Sequence, residues 1–238
     1  MYEYIKKLNQ SIDKLIAMNK EPLEHTIELF AQSIIEDNMI QVLGTGHSHM
    51  IGLEGFIRAG GLGNINAILD STVLTSDGAL RGSELEKLSG LADILWNDQK
   101  INEGDLIMVA SNSGRNALPI EFAMRAKQEG HTVIAITSVE QSSTSPSRHT
   151  SGLKLMDVAD IVLDNCVPTG DGLCEVNGRI TGAFSSISGM TLMNTICVEA
   201  QKRAIELGGQ PLVFSSQNVD GFDNDAIYQH FGDRLKCR

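Results

Sequence analysis

A chain of 238 residues with 42% hydrophobic content is long enough for one large domain or two small ones and can bury a sizeable core. Its 30 acidic against 19 basic residues give a formal net charge of -11; that argues against nucleic acid as the main partner, which needs a basic surface, but not against a small phosphorylated ligand held by backbone N–H groups and hydroxyls. No run approaches the roughly 18 apolar residues of a membrane span, the charged opening Met1–Leu8 is no signal peptide, and Cys166, Cys174, Cys197 and Cys237 form no C-x-x-C pair, so a cytoplasmic protein with free, mostly buried thiols is expected.

Ile5, Leu8, Ile12, Leu15 and Ile16 recur at helical spacing, Pro22 interrupts, and Leu23, Ile27, Phe30 and Ile34 repeat the pattern. The apolar run 39–43 suits a buried strand and ends in the loop 44–49. A helix through Ile51, Phe56 and Ile57 is expected to stop at Gly60 and Gly61, with a second strand at 65–69. The stretch 70–83 reads as loop, and Leu85, Leu88, Leu91, Ile94 and Leu95 as one helix. The run 106–110 is the clearest buried strand. It leads into the loop 111–116 and a helix over 117–129, closed by Gly130. Further strands are expected at 132–137 and 159–163, with a mobile Ser/Thr-rich loop over 142–151 between them. Residues 165–179, with Pro168, Gly170, Gly172 and Gly178, read as loop or turn, 181–207 as a long helix, and the tail from 210 shows no clear period. This alternation predicts an α/β fold, a doubly wound, mostly parallel sheet in three layers with helices on both faces. No linker or long repeat divides the chain, so 1–238 reads as a single domain with a helical extension over 1–37.

Two of the strands end alike, in an apolar run, a Gly/Ser loop and then a helix: VLGTGHSH and MVASNSGRN. In open α/β sheets ligands bind beyond the carboxyl ends of the strands, where both loops would lie. Gly44 and Gly46 allow a tight turn and close approach to a ligand. Ser48, Ser111 and Ser113 offer hydroxyls. The helix after Asn116 aims free N–H groups and its positive end at the second loop. Either loop alone fits an ordinary turn or cap equally well; two of them, each after a buried strand, point to one shared anion site.

At these residues the sequence resembles the sugar isomerase (SIS) domain family. The match is strand–G-x-G-x-S–helix at 40–57 and strand–S-x-S-G-x-N–helix at 106–126, followed by EGHTVIAIT at 129–137, and it covers about 25–165 well. Within that family the chain is similar to the proteins that stand near the phosphoheptose isomerases. The resemblance implies a flavodoxin-like, doubly wound fold, a sugar phosphate as ligand, and a homodimer or homotetramer. By resemblance, Ser111, Asn112, Ser113, Gly114 and Asn116 grip the phosphate, and Gly46, His47, Ser48 and His49 complete the pocket. Phosphoheptose isomerases carry acidic and histidine residues on the helix after the first loop and further zinc-type ligands on the last helix. Here those helices offer Glu54 and Arg58, then Asn194 and Glu199 without a histidine, so neither metal nor cofactor is expected.

Aldose–ketose isomerisation needs a base to move a proton between adjacent carbons, with acid help at the ring oxygen. Glu54, less than two helical turns past the first loop, is the first candidate base. Glu84, at the start of a helix, is the second, and His47 is the candidate acid or base in the loop itself. Asp171, Glu175 and Glu199 rank below these. The expected function is cofactor-independent sugar-phosphate isomerisation. The alternatives are a non-catalytic phosphosugar sensor and, third, a lyase acting on an amino-sugar ether. Neither nucleic acid nor membrane is expected as a partner.

Overall fold

The computed structural model describes residues 1–221 and 223–236; Cys237, expected to be a free thiol, lies outside them. Five parallel strands, β1 (Ile40–Gly44), β2 (Ile65–Ile68), β3 (Leu106–Ala110), β4 (Val133–Thr137) and β5 (Ile161–Asp164), form one sheet in the order β2-β1-β3-β4-β5. β1 and β3 are adjacent, with Gly44 opposite Ala110. The chain therefore leaves both strands at the same level, and the two loops read from the sequence emerge side by side.

Side-chain alternation divides the core. Ile40, Val42, Met108, Ala110, Ile134 and Ile136 face one side, against α1 (Glu3–Met18), α2 (Lys20–Ile35) and α9 (Ser185–Glu206). Leu43, Ile107, Val109, Val133 and Ala135 face the other, against α5 (Leu91–Asn97) and α6 (Ala117–Gln128). On α9 the row Leu192, Ile196, Ala200 and Ala204 is fully buried. Each fully buried Leu or Ile contributes about 1.5–3 kcal/mol. A third cluster, Phe214, Ile227, Phe231 and Leu235 around α10 (Asp225–Phe231), packs on Met39 and Ala67. There Asp37, at φ 59°, receives His230 Nε2 at 2.6 Å and Arg234 Nη2 at 3.0 Å.

Pro22 does not separate the first two helices. The break falls at Asn19, and Pro22 sits in the first turn of α2, where a missing N–H costs no helical bond. Asn19 is buried and acts as a piece of backbone: its Nδ2 donates to Asp164 O at 2.7 Å and its Oδ1 accepts from Asp164 N at 2.8 Å.

Other boundaries move for local reasons. The helix after the first loop, α3 (His49–Gly55), stops at Phe56, whose backbone is extended. The expected loop 70–83 contains two short turns and then α4 (Ala79–Leu85). The single helix expected over 85–95 is two, because Gly90 takes the left-handed conformation between α4 and α5. Short α7 (Val139–Ser143) and α8 (Leu155–Val158) flank the Ser-rich loop. The segment read as loop and helix start is an antiparallel hairpin, β6 (Gly172–Val176) and β7 (Arg179–Ala183), so α9 begins at Ser185 instead of 181. Of the thiols, Cys174 and Cys197 are buried and Cys166 is half-buried. Burial pushes Cys166 up to about 11 and Cys197 up to about 12.

Candidate functional site

Beyond the carboxyl ends of β1 and β3 lies a cavity of about 330 Å³. The first loop supplies Thr45, His47 and Ser48, and the second Ser111, Asn112, Ser113 and Asn116. Glu86 follows α4, Gln141 lies on α7, Asp171 precedes β6, and Ala183, Ser185 and Ser186 come from the end of the hairpin and the start of α9. No lysine or arginine is among these lining residues.

The second loop is turned so that its carbonyls face the protein. Asn112 O accepts Ser138 N at 3.0 Å and Thr137 Oγ1 at 3.1 Å. Gly114 O accepts Leu155 N, and Arg115 O accepts Arg148 N, both at 2.8 Å. Gly114, at φ 55°, makes the turn that permits this. These carbonyls are occupied behind, Ser111 N is bonded to Ile136 O, Gly114 N to Ser111 Oγ and Leu118 N to Glu86 O, and the N–H groups of Asn112, Ser113, Arg115, Asn116 and Ala117 have no partner among the described residues, an arrangement that concentrates positive potential without a charged side chain. The Ser-rich segment expected to be mobile contributes Arg148 N to this backing and is itself tied down. Ser147 Oγ donates to Leu153 O at 2.6 Å, and Lys154 Nζ donates to the carbonyls of Ser142 and Ser145.

Two long helices begin at the cavity, and they are treated differently. Asp171 occupies the start of α9: Oδ1 accepts Phe184 N at 3.1 Å and Ser185 N at 2.8 Å, and Oδ2 accepts Ser185 Oγ at 2.6 Å. α6 has no side-chain cap, since Asn116 turns its Oδ1 to Arg148 Nη1 at 2.9 Å. A carboxylate already complements the dipole of α9; α6 has none at its start, and of its first turn Leu118 N is bonded to Glu86 O and Pro119 has no N–H, which leaves the N–H of Ala117.

His47, Ser48, Ser111, Asn112, Ser113 and Asn116 are brought together in the lining; Gly46 and Gly114 shape the two turns at positive φ. His49 is not in the lining. Its ring is buried, Nδ1 lies 3.1 Å from Gly46 O, Nε2 has no hydrogen-bond partner among the described residues, and burial lowers its pKa. Neither candidate base lines the cavity. Glu54 is ion-paired with Arg58 and accepts Asn194 Nδ2 at 2.7 Å. Glu84 is exposed and bonded at 2.6 Å to Lys87, which holds its carboxyl below the usual value. The carboxylates that do line it are Glu86 and Asp171. Glu86, half-buried, has no hydrogen-bond or ion-pair partner for its side chain among the described residues, and its backbone oxygen accepts Leu118 N at 3.0 Å in the first turn of α6. Sequence spacing gave no sign of Glu86. Asp171, ranked below the other candidates from the sequence, is in the lining. Among the described residues no three His, Cys, Asp or Glu side chains gather as a metal site.

The family model described as the SIS domain matches residues 3–138, more than half of the chain. The chain belongs to the SIS domain family. This SIS protein is 37% identical to a UPF0309 protein of Caldanaerobacter subterraneus subsp. tengcongensis over 98% of both chains. It is 36% identical to a UPF0309 protein of Geobacillus sp., covering 98% of this chain and 96% of the relative. Among solved structures it resembles in fold the phosphoheptose isomerase of Neisseria gonorrhoeae, with a TM-score of 0.56, 18% identity, and coverage of 83% of this chain and 95% of the other. SIS domains are phosphosugar-binding domains. The match ends at 138, so Arg148 and Leu155 behind the second loop, the hairpin and Asp171 lie beyond it. Among the described residues no helix of this SIS protein is long and apolar enough to cross a membrane.

Proposed function

We propose that the cavity binds a sugar phosphate, with the phosphate at the second loop, Ser111–Asn116, and that the protein interconverts an aldose phosphate and a ketose phosphate without a cofactor. The observation that carries this reading is an unheld carboxylate, Glu86, in the same cavity as a loop whose carbonyls are turned away. Isomerisation removes a proton from the carbon next to the carbonyl and returns it to the neighbouring carbon, while the two oxygens exchange a proton. A carboxylate not engaged by the protein is suited to carry the carbon-bound proton. Glu86 takes that role in place of Glu54 and Glu84, which are ion-paired elsewhere. His47, exposed at the mouth, takes the ring-opening proton transfer. Asp171, with both oxygens engaged at α9, serves as an acceptor for sugar hydroxyls instead of a base.

The test is incubation with a panel of aldose phosphates in D2O, followed by proton and phosphorus NMR. Interconversion with deuterium entering at C1 or C2 is expected for one or two of them. Glu86→Gln should lower this rate by about 100-fold or more, the scale of general-base catalysis, with binding retained. Saturable binding across the panel with no exchange would refute the isomerase and leave a binding protein.

A further inference from the structure

A carboxamide presents a donor on one side and an acceptor on the other, and only its partners decide which side faces a pocket. Both asparagines of the second loop have that choice made for them by groups that can only donate. Arg148 Nη1 lies 2.9 Å from Asn116 Oδ1. A guanidinium has no acceptor, so the oxygen of Asn116 faces Arg148 and its NH2 faces the cavity. The second case is relayed. Val167 N–H donates to Asn165 Oδ1 at 3.2 Å, which commits the other side of Asn165, and its Nδ2 donates to Asn112 Oδ1 at 2.5 Å. The NH2 of Asn112 is thereby also left for the cavity. Asn165 is 1% exposed, and neither it nor Arg148 lines the 330 Å³ cavity.

We propose that Arg148 and Asn165 are positioning residues that turn the carboxamides of Asn116 and Asn112 donor-side inward, matching the pocket to a ligand group that only accepts hydrogen bonds, a phosphate dianion. The inference rests on the phosphate reading above. Arg148 acts from outside the lining, through Asn116, and its backbone N–H holds Arg115 O at the same time. Arg148 therefore sets donor polarity and does not itself touch the ligand.

The experiment is a double-mutant cycle read by titration of inorganic phosphate, followed by 31P line broadening at constant ionic strength. The proteins are the wild type, Arg148→Lys, Arg148→Met, Asn116→Ala and Arg148→Met with Asn116→Ala. Arg148→Met should weaken phosphate binding about tenfold, the worth of one hydrogen bond to a charged group, and Arg148→Lys, still a donor without an acceptor, should stay within about threefold. In the Asn116→Ala background Arg148→Met should cost nothing further, because its effect runs through that amide. An equal loss in both backgrounds overturns the inference in favour of simple charge attraction and leaves the phosphate reading standing. Should Arg148→Met fail to fold, Asn165→Ala against Asn112→Ala runs the same cycle on the other amide. A wild type without saturable phosphate binding overturns the phosphate reading, and this inference with it.

Discussion

Gly44 is where the first loop folds back on the end of β1, and adding one methyl group there tests the whole pocket. A Cβ at Gly44 would lie 2.8 Å from His49 N and closer still to the carbonyl of Ser48. Ordinary contact begins near 3.5 Å, so the 48–49 backbone has to withdraw by about 1 Å. The obstacle is main chain, which cannot swing aside as a side chain does. The strain belongs at the upper end of overpacking costs, about 3 kcal/mol, which for a chain of this size lowers Tm by about 6–12 °C. The same shift carries His47 and Ser48 away from the cavity, and misplacement by about 1 Å costs about 100-fold in a positioned reaction. The control is Gly52→Ala on α3. Its Cβ would meet Ala67, Val42 Cγ1 and Val42 O at 3.4 Å, ordinary contact. Gly52→Ala in a helix should leave Tm unchanged or raise it by a few degrees, since the helix preference for Ala is about 0.5–1 kcal/mol. Thermal melts of both variants, with and without a sugar phosphate that stabilises the wild type, read stability and binding together. Equal melting temperatures for the two variants, with ligand stabilisation intact in Gly44→Ala, would refute the account of the first loop.

Two further outcomes follow from groups described above. His49 is buried with its pKa lowered by that burial, so between its folded value and about 6.5 the unfolded chain takes a proton that the folded one does not. Stability should fall as pH drops below about 6.5, and His49→Gln should remove up to one proton's worth of that slope, about 1.4 kcal/mol per pH unit, in urea titrations at pH 7.5, 6.5 and 5.5; parallel profiles for the two proteins would mean that His49 is not held neutral. Asp171→Ala removes three bonds at the start of α9 and should cost about 1 kcal/mol, about 2–4 °C in Tm, with faster proteolytic cleavage within 172–183; cleavage at the wild-type rate would show that the hairpin is held elsewhere.

The strands that carry the site were legible because they are fully buried, and burial on both faces leaves a bare apolar run such as 106–110 with a Gly/Ser break at its end. The loop at 111–116 followed from that break and from the helix behind it. The hairpin was missed although Asn177-Gly178 announces it: both residues have positive φ, 53° and 74°, as a tight two-residue turn requires. Its strands are mostly exposed, so no apolar run marked them. The helix expected over 85–95 failed because the leucine spacing crosses Gly90 unbroken in sequence, while the backbone there is left-handed. Glu86 stayed hidden for a different reason. It reaches the cavity through Leu118 N–H and the fold around it, a contact between distant parts of the chain that periodicity does not encode. Glu54 looked well placed by spacing, but Arg58, four residues later and past the end of α3, claims its carboxylate.

The carbonyls of the loop at 111–116 are taken up by Thr137, Ser138, Arg148 and Leu155, and the amide of Asn112 by Asn165. Those partners follow the loop by some tens of residues and act only once β4 and β5 have joined the sheet. As the chain grows, the loop at 111–116 is synthesised well before anything exists to orient it. Contacts of this separation form late, after the loop-closure entropy between them has been overcome. Ligand affinity should therefore appear in one step near the end of folding, which makes binding a reporter of the completed sheet and leaves shorter folding intermediates blind to the ligand.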